Sequence, residues 1–227
     1  MYSLYIANKN YSSWSLRPWV LMRELGIAFE EQRLTFGDAP AWQRYRQICP
    51  SGKVPCLLQD STAIWDSLAI VEFLAERHSA VWPAAAVPRA WARCAAAEMH
   101  SGFTALRERC SMNCGVRVQL HERGAALENE LARLTALWRE GLMRFGGPFL
   151  VGERFTAVDA FYTPVAFRLQ TYGLSLGEPA DGYAQRLLAL PAMRSWYAEA
   201  LREPMRDAPH EEDIPRYGRL LQDLREA

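Results

Sequence analysis

Residues 2–21, YSLYIANKNYSSWSLRPWVL, place a strand pattern, a polar turn and the start of a helix pattern in direct succession. Residues 2–7 are apolar and rich in β-formers, which predicts a short strand. The polar run at 8–13 predicts a turn. Apolar residues then recur at helical spacing until Gly26, which marks the end of a helix. The chain therefore opens with a strand that turns through a tight polar corner into a helix.

The alternation of strands and helices continues to residue 77. Short apolar runs predict further strands, and helical periodicity predicts further helices. Strands are expected at 28–34, 54–59 and 63–65, and helices at 40–48 and 67–77. The resulting order, β-α-β-α-β-β-α, predicts a small α/β domain over residues 1–79.

After residue 79 the strand patterns fade and helix patterns replace them. Two prolines at 80–90 predict a linker over 80–87 that runs into a helix start. Thr156 and Asp159 have the spacing of a capping box. Helices are expected at about 88–110, 118–145, 157–172, 181–189 and 191–202, with one last amphipathic turn or two at 214–224. The sequence thus predicts a second, all-helical domain over 88–227.

The composition narrows the classes of function. Lys and Arg number 26 and Asp and Glu also number 26, so the formal net charge is zero. Such a chain lacks the basic surface of a nucleic-acid binder or of a protein that binds anionic membranes. No apolar run reaches the roughly 18 residues of a membrane helix, and the first ten residues show no secretory leader pattern.

The cysteines and histidines indicate neither disulfides nor a metal site. The five cysteines are an odd number and form no C-x-x-C pair, and the four histidines show no metal-ligand spacing. We therefore expect reduced thiols in a cytoplasmic protein without a metal site.

The serine corner, which we define as residues 11–15, is suited to stabilise a thiolate. Exposed N–H groups at a helix N-terminus stabilise a thiolate and lower the thiol pKa from about 8.5 toward about 7. Ser12 and Ser15 have the spacing of a C-x-x-C pair, yet no cysteine precedes Cys49, so dithiol exchange is excluded here. The hydroxyls are suited instead to hydrogen-bond the sulfur of a ligand. The alternative is that these serines only cap the helix and shape the turn.

Two further motifs suit other parts of one ligand. Pro55 follows Val54 at the start of a predicted strand. A cis bond there would turn the Val54 backbone outward to pair with an extended ligand, although trans is the default. Ser67 at a helix N-terminus suits a carboxylate and Asp66 suits an ammonium group, with N-capping as the alternative. A thiol, a peptide backbone and an amino-acid terminus together describe glutathione.

With these motifs in order, the sequence resembles the glutathione S-transferase family from Leu4 to about Leu201. More closely, it resembles bacterial, serine-type members with a zeta-like N-terminal motif. The matching segments are SSWSLRPWVL for the catalytic corner, GKVPCL for the cis-proline strand, WDSLAIVEFLAER for the γ-glutamyl site and FTAVDAFYTP for the capping box. The resemblance implies a thioredoxin-like α/β domain followed by an all-α domain.

The resemblance also implies site residues. In serine-type transferases the catalytic hydroxyl lies five residues before an arginine of the first helix, and counting back from Arg17 gives Ser12, with Ser13 as the neighbouring alternative. The glutathione contacts it implies are Lys53 for the glycine carboxylate, Val54 and cis-Pro55 for the cysteinyl backbone, and Asp66 and Ser67 for the γ-glutamyl end.

The electrophile site is expected between the domains, against the first long helix. The candidates to line it are Tyr11, Trp14, Met99 and Phe103. Met99 and Phe103 lie four apart on one predicted helical face, and a place in the core is the alternative. In the same segment Glu98, His100 and Arg107 either place charges in the cleft or form a solvated or dimer-facing surface.

The function that this resemblance implies is conjugation of glutathione to a small apolar electrophile, as in detoxification, by a homodimer. One alternative is a glutathione-dependent isomerase of the maleylacetoacetate type or a peroxidase. Another is a non-catalytic regulatory protein that binds glutathione. The sequence departs from the zeta pattern at Trp14, where that class has cysteine, and at Asp66, where glutamine is common. The resemblance to the zeta class therefore does not by itself imply that this protein is an isomerase.

Overall fold

The computed structural model describes residues 1–226, and its first strand lies inside a four-stranded sheet of order β2-β1-β3-β4. The strands are β1 (Tyr2–Ile6), β2 (Phe29–Arg33), β3 (Cys56–Gln59) and β4 (Thr62–Trp65). β1 pairs in parallel with β2 and antiparallel with β3, which pairs antiparallel with β4. Three helices occupy the intervals: α1 (Ser13–Glu24), α2 (Ala39–Tyr45) and α3 (Ser67–Ala75). The predicted order β-α-β-α-β-β-α is confirmed.

The rest of the described chain is mainly helical. The helices are α4 (Ala86–Ser101), α5 (Thr104–Arg109), α6 (Gly124–Phe145), α7 (Ala157–Tyr172), α8 (Ala180–Ala189), α9 (Pro191–Leu201) and α10 (Ala208–Tyr217). α7 is buried along nearly its whole length and packs against α1, α4 and α8. This helix therefore joins the sheet layer to the helical layer. No helix within residues 1–226 is long and apolar enough to span a membrane.

The helix predicted at 88–110 is broken. Gly102 is extended, and Phe103 has a left-handed φ of 55° that no continuous helix adopts. At the end of α4, the Gly102 amide donates to the carbonyl of Glu98 at 2.8 Å and so closes the last turn. The chain then restarts as α5, which is a short helix in a new direction.

A two-stranded ribbon replaces two stretches that were expected to be helical. β5 (Val116–Leu120) pairs antiparallel with β6 (Gly218–Asp223), so α6 begins at Gly124 instead of 118. Val116 and Val118 are buried while their neighbours point outward, which is the two-residue period of a strand. Because the partner strand is about a hundred residues away in the chain, local periodicity does not reveal this pairing.

The capping box predicted from Thr156 and Asp159 is confirmed at the start of α7. The Asp159 carboxylate accepts hydrogen bonds from the Thr156 amide at 2.9 Å, the Leu150 amide at 3.0 Å and the Tyr183 hydroxyl at 2.9 Å. Asp159 is fully buried, and this burial raises its pKa to about 6 although the hydrogen bonds lower it. One carboxylate thus fixes the first turn of α7 to α8 and to the preceding loop.

Replacing Asp159 by Asn should destabilise the protein by about 1–3 kcal/mol at pH 7, because an amide NH₂ would face the two donors of Thr156. The pH dependence should also change. The pKa of Asp159 rises from 3.8 to about 6 on folding, so the folded state holds the proton more tightly. This group makes stability fall as pH rises through that window.

Urea unfolding at several pH values measures both effects, with Asp60→Asn in an exposed turn as the control. Equal pH slopes for the wild type and Asp159→Asn through this window would contradict the assignment.

Lys9 is the point where the two halves of the chain meet. Its fully buried ammonium lies 2.8 Å from Glu31 on β2 and 2.6 Å from Glu199 on α9. The ammonium also lies over the rings of Trp19 and Trp196, at 4.7 and 5.4 Å from their centroids. A buried cation with two carboxylates and two aromatic faces is well compensated.

Lys9→Met should lower the free energy of unfolding by about 3 kcal/mol, because it leaves Glu31 and Glu199 facing an apolar side chain. Arg144→Met is the matched control: it removes an exposed ion pair with Glu140, which should cost less than about 1 kcal/mol. Urea unfolding of both variants makes the comparison. Equal losses would show that Lys9 acts as an ordinary surface charge.

Candidate functional site

The serine corner joins β1 to α1 through a hydrogen-bonded turn. The amides of Tyr11 and Ser12 both donate to the carbonyl of Asn8, at 3.2 and 2.9 Å, so the chain folds back just before α1 begins. Within residues 1–226 the amides of Trp14 and Ser15, at the start of α1, donate to no other group. The Trp14 amide is a free donor of the kind that a helix N-terminus offers to an anion, whereas Ser15 is fully buried.

The hydroxyls of Ser12 and Ser15 form a short hydrogen-bonded chain at the start of α1. Ser12 Oγ, in a side chain that is almost buried, donates to Ser15 Oγ at 2.7 Å. Ser15 Oγ also accepts the amide of Ala7, the residue after β1, at 3.2 Å. Ser13 is partly exposed, and among the described residues its hydroxyl has no hydrogen-bond partner. The Ser12 hydroxyl is therefore positioned by its hydrogen bond to Ser15, whereas the Ser13 hydroxyl is not positioned by any hydrogen bond to the described residues.

A cleft of about 460 Å³ opens in front of this corner. It gathers six of the residues that the sequence predicted: Tyr11, Ser12, Ser13, Trp14, Lys53 and Val54. Three larger depressions, which lie beside Arg33, Trp82 and His121, contain none of the predicted residues. We place the candidate site in the cleft because Trp14, with its free amide, and the hydroxyl-bearing residues Ser12 and Ser13 line it.

The loop before β3 forms one wall of the cleft. The Val54–Pro55 peptide bond is cis. Within residues 1–226 the backbone of Val54 makes no hydrogen bond, whereas the carbonyl of Lys53 accepts the Tyr45 hydroxyl at 2.8 Å. Val54 therefore presents an unpaired peptide group beside the serine corner.

Asp66 and Ser67 lie outside the cleft lining, at the start of α3. Asp66 Oδ1 caps the helix by accepting the Leu68 amide at 2.8 Å, as the capping alternative expected, and Oδ2 lies 3.5 Å from His100 Nε2. Ser67 is buried and accepts from Arg17 Nη1 at 3.5 Å. These two residues are thus already engaged within the protein, although the Asp66 side chain stays 44% exposed.

Met99 and Phe103 do not line the cleft, which corrects the expectation for the electrophile site. Met99 is 1% exposed and Phe103 6%, and both pack in the main hydrophobic core. The two do not share a helical face because the chain leaves α4 at Gly102. Burying these large apolar side chains in the core stabilises the protein more than leaving them exposed in an open cleft would.

Other residues, which the sequence did not mark for the cleft, form its remaining walls. They are Phe36 and Trp42 near α2, Ser111 and Met112 after α5, Arg168 of α7, and His210 and Asp213 of α10. Arg107, which the sequence placed either in the cleft or on a surface, lines it. Nothing in the local pattern of α7 or α10 distinguishes these residues from core or surface positions, so only the tertiary fold reveals them.

Two guanidinium groups lie over the ring of Trp14. The centre of the Arg17 group is 4.1 Å from the Trp14 ring centroid and that of Arg107 is 4.7 Å away. The ring of His100 contacts Trp14 edge-on at 5.2 Å. These contacts fix the half-buried indole at the floor of the cleft.

Tyr11 is held by the C-terminal part of the chain. Its hydroxyl donates to Glu211 at 2.8 Å and accepts from Arg225 at 3.2 Å. Burial, followed by the neighbouring Glu211, raises the pKa of Tyr11 to about 12. The hydroxyl is therefore protonated at neutral pH and committed to Glu211, so it serves as a wall of the cleft.

Comparisons with known proteins identify relatives of both parts of the chain. The family described as "Glutathione S-transferase, N-terminal domain" matches residues 11–77, and "Glutathione S-transferase, C-terminal domain" matches residues 84–199. A probable maleylacetoacetate isomerase from Caenorhabditis elegans is 27% identical over 76% of this chain and 81% of its own length. Glutathione S-transferase DHAR2 from Arabidopsis thaliana is also 27% identical, over 69% of this chain and 66% of its own length.

A solved structure shares the fold. The glutathione transferase homologue from Burkholderia GL BGR1, determined with bound glutathione, superimposes with a TM-score of 0.65 at 22% identity. The match covers 88% of this chain and 97% of that one. It supports the arrangement of a mixed sheet domain followed by a helical one.

Proposed function

The chain belongs to the glutathione S-transferase family, and from this premise we propose that it binds glutathione in the cleft and activates its thiol. The observation that carries the proposal is the serine corner itself. Trp14, whose amide is free, and the hydroxyl-bearing residues Ser12 and Ser13 all line one cavity. Both kinds of donor stabilise a thiolate more than a thiol, so they lower the pKa of a bound thiol.

In this proposal Ser12 donates the hydrogen bond to the sulfur. A hydroxyl donates once and accepts twice. When Ser12 turns its proton from Ser15 to the sulfur, Ser15 is free to donate its own proton back to Ser12 Oγ while still accepting the Ala7 amide. The exchange leaves no buried hydroxyl unsatisfied, and Ser15 acts as a positioning residue.

The peptide part of glutathione is proposed to lie along the loop before β3. The unpaired backbone of Val54 is suited to the cysteinyl backbone, with cis-Pro55 behind it. Lys53 is suited to the glycine carboxylate, as the resemblance implied. Asp66 and Ser67 are proposed for the γ-glutamyl end through the exposed side of the Asp66 carboxylate.

The reaction we propose is attack of the thiolate on an electrophilic carbon. A sulfur–carbon bond forms, and the leaving group departs with its electron pair. Electrostatic stabilisation of the thiolate raises the fraction of reactive nucleophile at neutral pH. The division into domains 1–79 and 88–227, joined by the linker 80–87, and assembly into a homodimer remain predictions.

A second candidate function is a glutathione-dependent isomerase. The observation in its favour is the similarity to the probable maleylacetoacetate isomerase, together with the double serine at the corner. An isomerase adds glutathione to its substrate and releases it again, so glutathione is not consumed. Product analysis by mass spectrometry therefore distinguishes the two: a stable conjugate supports the transferase.

Ser12→Ala should lower kcat/KM for conjugation of chlorodinitrobenzene by about 10²–10³-fold, because it removes one donor to the thiolate. The pKa of the bound thiol, followed by thiolate absorbance, should rise. Calorimetry should still detect glutathione binding, since the peptide contacts remain. Ser13→Ala should have a much smaller effect, and Ser101→Ala at the exposed end of α4 is the control.

Other results would contradict the assignment. A larger loss in Ser13→Ala would move the donor role to Ser13. Full activity in both serine variants would show that the hydroxyls are not used. No heat of binding at millimolar glutathione would refute the proposed function altogether.

A further inference from the structure

Three arginines meet beside the serine corner without an ion-pair partner among the described residues. They are Arg17 of α1, Arg107 of α5 and Arg168 of α7. Arg17 is 1% exposed and Arg168 5%, and the Nε atom of each is buried without a hydrogen-bond partner. Cations of this kind are nearly always paired when buried. Their clustering therefore calls for an anion that the chain itself does not supply.

Backbone carbonyls occupy only part of the donor capacity of these side chains. Arg107 Nη2 donates to the carbonyls of Met99 and His100, the latter at 2.9 Å. Arg168 Nη1 donates to the carbonyls of Cys110 and Arg107. Within residues 1–226, Nε and Nη1 of Arg107 and Nε and Nη2 of Arg168 donate to nothing. Both side chains line the cleft.

The charges around the cluster leave it positive. Burial, together with the neighbouring arginines, lowers the pKa of Arg17, and burial lowers the pKa of Arg168 to about 10. With a pKa of about 10, Arg168 is still a cation at neutral pH. The carboxylate of Asp66 acts on Arg17 and that of Glu130 acts on Arg107, but neither forms an ion pair with them.

Four further titratable residues line the cleft: Tyr11, Lys53, His210 and Asp213. Asp213 and His210 of α10 lie on its wall, and Lys53 lies on the wall proposed for the glycine carboxylate. Asp213 is the one carboxylate among the described lining residues, against the cations of Lys53, Arg107 and Arg168. An anionic group placed between Arg107 and Arg168 would satisfy their free donors in a charge-assisted way.

We propose that the electrophile bound in this cleft is an organic acid, whose carboxylate is held by Arg107 and Arg168 while its apolar body lies against Trp14. The proposal rests on the proposed function and replaces the expectation of a purely apolar electrophile. Trp14 supplies the apolar surface, since its half-buried indole lines the cleft and is held in place by contacts with Arg17 and Arg107. The carboxylate takes no part in bond making and serves to orient the reactive carbon.

A matched pair of electrophiles tests this inference: chlorodinitrobenzoate and chlorodinitrobenzamide with the same ring substitution. In both, the glutathione sulfur bonds to the ring carbon that carries chlorine, and chloride leaves with the electron pair. Each kcat/KM is divided by the rate constant with free glutathione, which removes the difference in intrinsic reactivity. We expect the benzoate to be preferred by about tenfold, the usual size of a charge-assisted contact.

Arg107→Gln should lower kcat/KM for the benzoate about tenfold more than for the benzamide, mainly through KM. Arg107→Lys should restore part of the preference, because it keeps the charge without the planar fork. Arg109→Gln is the matched control: it is on the same helix but outside the cleft, where it pairs with exposed Glu122. Thermal unfolding of each variant checks that the fold is intact.

Calorimetry with unreactive dinitrobenzoate and dinitrobenzamide separates failure of this inference from failure of the proposed function. If neither chlorinated compound is conjugated, yet dinitrobenzoate binds more tightly and Arg107→Gln removes that preference, the anion site stands and the transferase function fails. Equal conjugation of both compounds overturns the anion site and leaves the function intact. A rise in the glutathione Kd in Arg107→Gln, with no change in preference, also overturns it, because the arginines then serve glutathione.

Discussion

A buried ammonium between two carboxylates from distant parts of the chain fixes the position of the site. Lys9 joins Glu31 of the sheet to Glu199 of α9, and Trp196 Nε1 donates to its backbone carbonyl at 2.7 Å. The serine corner begins two residues later in the chain. Because an unpaired ion in this place would be costly, the two halves of the protein hold together where the first turn of α1 is formed. The geometry of the corner therefore depends on tertiary charge pairing as well as on its own turn.

Local periodicity was enough to predict most of the fold, because each strand and helix near the N-terminus buries one pattern of its own residues. The capping box at Asp159 was predictable for the same reason: all of its information lies within four residues. The β5–β6 ribbon was not, since each strand has its partner about a hundred residues away. The helix break at Phe103 depends on a left-handed backbone conformation, which a phenylalanine in the sequence does not predict. Within the site, the corner was predictable, while Arg168 on a uniformly buried helix was not.

The overall charge balance conceals the electrostatics of the cleft. A formal net charge of zero excludes a broad basic surface, but it does not describe how charges are distributed inside the fold. Here Trp14, whose amide is free, lines the same small cavity as Arg107 and Arg168. Because Arg168 is buried, the local dielectric is lower than in water and charge interactions with it are stronger. One positive region can therefore favour both an ionised thiol and an acidic second ligand.

The walls of the cleft differ in how firmly they are anchored. α1 and α7 are buried over most of their length, whereas Ile214 is the one buried residue of α10 and β6 is exposed beyond its first residue. Segments with few buried contacts open at a small fraction of the global free energy of unfolding. The wall on the side of α10 can thus move by thermal fluctuation while the serine corner keeps its shape. Ligands of differing bulk can then enter the cleft without displacing that corner.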